Sequence, residues 1–133
     1  MKLFEFEGKE LLAKAGIETP HGTVVSSEQE LLEAAQKFDR AIVKAQVLSG
    51  KRKKMGLVKA CHSTQEIIDY GKELLLHKEK KIGKILIEPL LSIKSEYYLG
   101  ITFSTQHRAP VAIASMEGGI DIEETKKNHP TKV

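Results

Sequence analysis

A chain of 133 residues has room for one domain with a real core and not for two large ones. Its net charge of +3 is too small to draw the whole molecule to DNA or a membrane, so anion binding has to come from local clustering. The single cysteine, Cys61, excludes an intrachain disulfide and fits a cytoplasmic protein; no apolar run is long enough to span a bilayer, and the acidic, interrupted start is unlike a signal peptide.

In "FEFEGKELLAKAGI" a helical stripe of Phe6, Leu11, Leu12 and Ala15 is expected, with Gly16 as a left-handed C-cap. "ETPHGTVV" turns at Pro20 and Gly22 into a short strand. Ser27 and Glu30 form a capping box that opens a helix through Leu31, Leu32, Ala34, Ala35 and Phe38. "AIVKAQV" and "GLVKACH" read as two strands of a hairpin whose tip is the basic segment between them. A second box, Ser63 with Glu66, opens a helix that buries Ile67, Ile68, Leu74 and Leu75. "KILIEPL" is a buried strand stopped by Pro89, and "EYYLGITFS" and "APVAIASME" are consecutive strands joined by "TQHR". The resulting order, αβαββαβββ, predicts an α+β (mixed α/β) layered domain.

On an extended strand Ile42, Lys44 and Gln46 share one face, while Ala41, Val43, Ala45 and Val47 share the other. A lysine buried alone there would be costly, so either the strand is half exposed or the ammonium faces a cleft that holds an anion. Lys51, Arg52, Lys53 and Lys54 repel one another unless solvent or an anion screens them. No aromatic side chain is interleaved with them to stack bases, which disfavours single-strand nucleic-acid binding. Flanking glycines, Gly50 and Gly56, suit a loop that folds over a polyphosphate. Glu88 closes "KILIE" before Pro89, and Glu96 opens "EYYLG"; each is either a solvated strand-end carboxylate or part of a cleft lining. Glu117, against Gly118-Gly119 and followed by Asp121 and Glu123, reads as an acidic turn. The histidines have no metal-ligand spacing, Cys61 reads as a small core residue, and neither a Walker A loop nor a dinucleotide fingerprint is present.

Four of these segments stand in the order of a known family. "LFEFEGKELLAKAGIETPHG", "IVKAQVLSGKRKKMGLVK", "ILIEPLLSIKSEYYLGI" and "SMEGGIDIE" together resemble the N-terminal part of the β subunit of ADP-forming succinyl-CoA synthetases. More broadly the chain is similar to the ATP-grasp acyl-CoA ligases, which include citryl-CoA synthetase and ATP-citrate lyase. The resemblance implies a partial ATP-grasp fold with two interleaved subdomains, residues 1–20 and 99–133 in the larger and 21–98 in the smaller, with a phosphate-covering loop at 48–56. It implies that Lys44 contacts the α- and β-phosphates of ATP and that Lys51, Arg52 and Lys53 lie in the covering loop. Glu88 would sit beside the adenine amino group, and Glu96 would bind the ribose hydroxyls.

The implied reaction joins a carboxylic acid to CoA with ATP cleaved to ADP and phosphate, in partnership with an α subunit or a CoA-binding region. No catalytic or metal-ligating residue is nominated, because the Mg²⁺ ligands and the phosphohistidine of the family are expected elsewhere, the former beyond residue 133. The chain alone is therefore expected to bind nucleotide weakly and not to complete the reaction. Its loop, "SGKRKKMGL", has fewer glycines than the usual succinyl-CoA synthetase loop, and its Lys-x-Gly-Leu-Val ending resembles the citrate-type relatives. Two other classes are a non-catalytic nucleotide sensor or scaffold and a nucleic-acid module built on residues 51–54.

Overall fold

The computed structural model describes residues 2–77, 81–106, 108–116 and 118. The chain divides into two compact units, Met1–Leu91 and Ser92–Val133.

In the first unit the order is α1 (Glu5–Lys14), β1 (Thr23–Val25), α2 (Glu28–Ala35), β2 (Ala41–Ala45), β3 (Val58–Cys61), α3 (Thr64–Leu75) and β4 (Ile85–Pro89). The strands form one antiparallel sheet in the order β1-β4-β2-β3. The alternation expected in "AIVKAQV" holds to the end of β2, where Ala41, Val43 and Ala45 are fully buried and Ile42 and Lys44 on the other face are half-buried. Past Ala45 it breaks, with Gln46 buried by its amide bonds to Lys44 O and Phe6 N and Val47 only half-buried. The first set joins Ile85 and Ile87 of β4, Leu31 and Ala35 of α2, and Ile67, Tyr70 and Leu74 of α3 in one core. Cys61 is part of that core, and burial pushes its thiol pKa up.

Both serine caps form. Ser27 Oγ accepts from Glu30 N and Ser63 Oγ from Glu66 N, each at 3.2 Å. The return bonds reach one residue further back than a reciprocal box requires: Glu30 accepts from Ser26 N and Glu66 from His62 N. The second helix ends at Ala35, short of the expected Phe38, which packs against the core from the turn that follows.

The first helix departs from expectation. Gly16 caps it in the left-handed region (φ 80°), with Gly16 N donating to Ala13 O and Ile17 N to Leu12 O, but no residue of α1 is buried. At about 100° per residue, Leu11, Leu12 and Ala15 lie on the side of the helix opposite Phe6. Leu11 and Leu12 are accordingly exposed, and the face carrying Glu5, Phe6 and Lys9 is the one that meets the sheet. Helix geometry thus splits the single stripe expected of Phe6, Leu11, Leu12 and Ala15.

In the second unit β5 (Tyr98–Ser104) and β6 (Ala109–Ser115) form an antiparallel ribbon. Leu99, Ile101 and Phe103 are exposed on one face, paired with Ala114, Ala112 and Pro110. The acidic turn expected at Glu117 and beyond lies outside the described residues, apart from Gly118, whose N–H donates to Glu96 O at 3.0 Å.

Candidate functional site

The register of the sheet builds the site. Lys44 stands opposite Leu86, and Ile42 opposite Glu88, so Lys44 and Glu88 are diagonal neighbours on the face away from the core. Lys44 Nζ donates to Glu88 Oε2 at 2.7 Å and to Glu5 Oε1 of α1 at 2.8 Å. Lys9, one turn after Glu5, reaches the other oxygen of Glu88 and lies 3.4 Å from Glu5. Arg52 completes the group, with one guanidinium nitrogen 2.5 Å from Glu5 Oε2 and the other 3.1 Å from Ala45 O. Three cations thus surround two carboxylates, leaving one positive charge in excess.

Glu88 is almost fully buried, at 2% exposure, and is tolerable there because both oxygens are paired. Gly22 allows this packing: a Cβ at that position would lie 2.6 Å from Glu88 Cγ. Burial pushes the Glu5 carboxyl up, but Lys44 and then Arg52 outweigh it and hold the pKa down at about 2. For Lys44, burial works against the charge, and Glu5 and Glu88 more than restore it, raising the pKa.

The basic segment is folded. Lys51 adopts φ 61° and Gly56 φ 66°; between them Met55 N donates to Lys51 O and Arg52 O, and Leu57 N to Arg52 O. Arg52 ties this turn to the end of β2 and to α1, while the Tyr70 hydroxyl donates to Gly56 O at 2.8 Å from α3. Lys51, Lys53 and Lys54 remain on the exposed side of the turn.

Of the six side chains expected to bind nucleotide, the fold gathers Lys44, Arg52 and Glu88, and carries Lys51 and Lys53 on the same loop as Arg52. Glu96 is exposed in the second unit. Glu5 and Lys9 join the site without a local sequence signal. Their i, i+4 spacing puts them on one helical face, but nothing in the sequence says that this face meets Lys44. An open cleft beside Arg40, His62 and Pro89 contains none of the expected residues. Among the described residues no three His, Cys, Asp or Glu side chains converge as a metal site, and Glu5 and Glu88 are both committed to cations. These residues do not fit Mg²⁺. No described helix is long and apolar enough to cross a membrane.

Residues 2–133 match the family model of the ATP-grasp domain. The chain belongs to the ATP-grasp family. Over its whole length it is 37% identical to the succinate–CoA ligase [ADP-forming] subunit beta of Brevibacillus brevis, and 38% identical to that of Methanocaldococcus jannaschii. In each case it covers 37% of the relative, so the chain spans a little over a third of the length of these proteins. The alignment is with their N-terminal part. Among solved structures, a dinucleotide-forming acetyl-coenzyme A synthetase 1 of Ca. Korarchaeum cryptofilum superposes with a TM-score of 0.75 at 20% identity, over 92% of this chain and 56% of that one. A phosphoribosylamine–glycine ligase of Thermotoga maritima gives 0.62 at 22% identity, over 86% and 28%. The expected α+β ATP-grasp fold, in partial form, is present.

Proposed function

We propose that this chain is the nucleotide-binding front part of an ADP-forming acyl-CoA ligase, in which Lys44 and the loop of Lys51, Arg52 and Lys53 hold the polyphosphate of ATP. One observation carries the reading: Lys44 and Arg52, from a strand and the loop that follows it, converge on a single carboxylate, Glu5. Two fixed cations sharing one oxyanion make a cradle suited to phosphate, where charge-assisted hydrogen bonds are strongest. Arg52 offers a planar fork and Lys44 a point charge, and the loop is already folded around them.

In this reading Glu96 binds the ribose hydroxyls, Glu88 reaches the adenine amino group only by giving up one of its two lysine pairs, and Mg²⁺ is held by residues beyond residue 133. The acid is of the succinate or citrate type, CoA captures an activated acyl group, and an α subunit or CoA-binding region supplies the remainder of the site. What this chain contributes is position and electrostatics, with the basic loop covering the phosphates.

The test is an NMR titration of the full chain with ATP and with inorganic triphosphate. Lys44→Ala and Arg52→Ala are each expected to weaken binding about tenfold or more, the worth of one charge-assisted contact. Equal binding by wild type and Lys44→Ala would sink the reading. Binding of DNA that falls steeply with salt and ignores Lys44 would favour the nucleic-acid module instead.

A further inference from the structure

The cradle already contains an anion. Glu5 sits between Lys44 and Arg52, one oxygen to each, and it comes from a helix that has little else to hold it. No residue of α1 is buried, and Leu11 and Leu12 face outward. Besides Glu5, its links to the sheet among the described residues include Lys9 on Glu88, the Phe6 N–H on Gln46 Oε1 at 3.3 Å, and Lys84 over the Phe6 ring at 5.2 Å. Phe4 to Lys9 are half-buried and the Phe6 ring stacks on Phe4, but no apolar residue of the helix is fully buried, so its docking rests largely on charges and polar contacts, which a more highly charged ligand can replace.

We infer that Glu5 is a built-in substitute for phosphate: α1 places its carboxylate on Lys44 and Arg52, and a polyphosphate must displace it to bind. The inference rests on the cradle assigned above. A carboxylate carries one negative charge, whereas a polyphosphate carries several on freely turning oxygens, so it takes both cations from Glu5. Glu5, left beside the phosphates, is then repelled. The Lys9 contact with Glu88 remains, but α1 loses its two ion pairs to Lys44 and Arg52. Ligand binding and release of the helix are coupled through that single side chain, and α1 lowers affinity in proportion to the stability of its own docking.

The experiment compares wild type, Glu5→Gln and Lys44→Ala in the full chain, titrated with inorganic triphosphate and with ATP, and follows the amide exchange of residues 8–16 in wild type. Glu5→Gln is expected to bind about three- to tenfold more tightly, as displacing one ion pair allows. In wild type, exchange in α1 is expected to quicken on adding ligand. Equal or weaker binding by Glu5→Gln, with Lys44→Ala still impaired, overturns the substitute and leaves the cradle standing. Slower exchange in α1 overturns it as well, since it would mean that the helix clamps the ligand, and this readout needs no variant to fold. If wild type binds neither compound, the cradle and the substitute fall together.

Discussion

Replacing Glu5 by glutamine should remove a pH-dependent share of stability. The Glu5 carboxyl is held at about 2 against an ordinary 4.5, which by linkage sets a ceiling of about 3 kcal/mol. The side chains of Glu5, Lys44 and Arg52 are 19%, 16% and 22% exposed, so water screens part of this, and Lys44 keeps Glu88 when Glu5 is lost. A loss of about 1–2 kcal/mol near pH 7 follows, and it cannot exceed the free energy that docks α1, because beyond that the helix simply leaves. The depressed pKa fixes the sign: the contribution is present above pH 4.5 and disappears as pH falls towards 2. Urea unfolding of wild type and Glu5→Gln at pH 7, 5, 4 and 3 measures it, and the gap between the two should narrow steadily through the lower three. A gap that stays constant from pH 7 to pH 3 would refute the assignment of that stability to the ionised carboxylate.

Gly71→Ala should destabilise by about 1 kcal/mol in the same urea assay: the new Cβ would stand 2.6 Å from Leu31 Cδ1, and overpacking of about 1–3 kcal/mol outweighs a helix-propensity gain of about 1 kcal/mol. Tyr70→Phe loses the bond to Gly56 O, costing about 1 kcal/mol. Burial, with Glu73 adding to it, pushes the Tyr70 pKa up to about 12, so wild-type stability should fall as pH rises from 10 through 12, and ultraviolet titration of the variant should lack that late tyrosinate. Lys51→Gly relieves a left-handed backbone costing about 1 kcal/mol but loosens the unfolded chain by a similar amount, so thermal melting should stay within about 0.5 kcal/mol of wild type. Polyphosphate binding should nonetheless weaken, separating the charge of Lys51 from its backbone role.

The elements were legible because each is specified locally. The two serine caps, the alternation in "AIVKA" and the breaker Pro89 lie within a few residues of what they define, and the order αβαββαβββ follows from them. The half-legible features depended on packing. Ile67 and Leu74 were expected inside, but Tyr70 and Gly71 were not, since a tyrosine and a glycine are buried only when a neighbour such as Leu31 claims the space. Lys44 could be seen to need either water or an anion. That the anion would be supplied in part by Glu5, 39 positions away, could not, because no local rule links a strand lysine to a helix preceding it by three elements.

That long-range pairing also explains how the chain tolerates so basic a segment. Lys44, Arg52 and Lys9 would repel one another around an empty face of the sheet, and water has limited access to Lys44 there. Glu5 and Glu88 neutralise all but one of these charges, and they do so unequally. Glu88 belongs to the central part of the sheet and cannot leave without unfolding it, whereas Glu5 belongs to a helix with no fully buried residue. In the proposed site Glu88 would be the fixed counter-charge and Glu5 the removable one. Arg52 makes the arrangement cooperative, since it ties the loop to Ala45 and to Glu5 together. An anion that takes Arg52 from Glu5 therefore acts on the loop and on α1 in the same step, without any change in the core beneath.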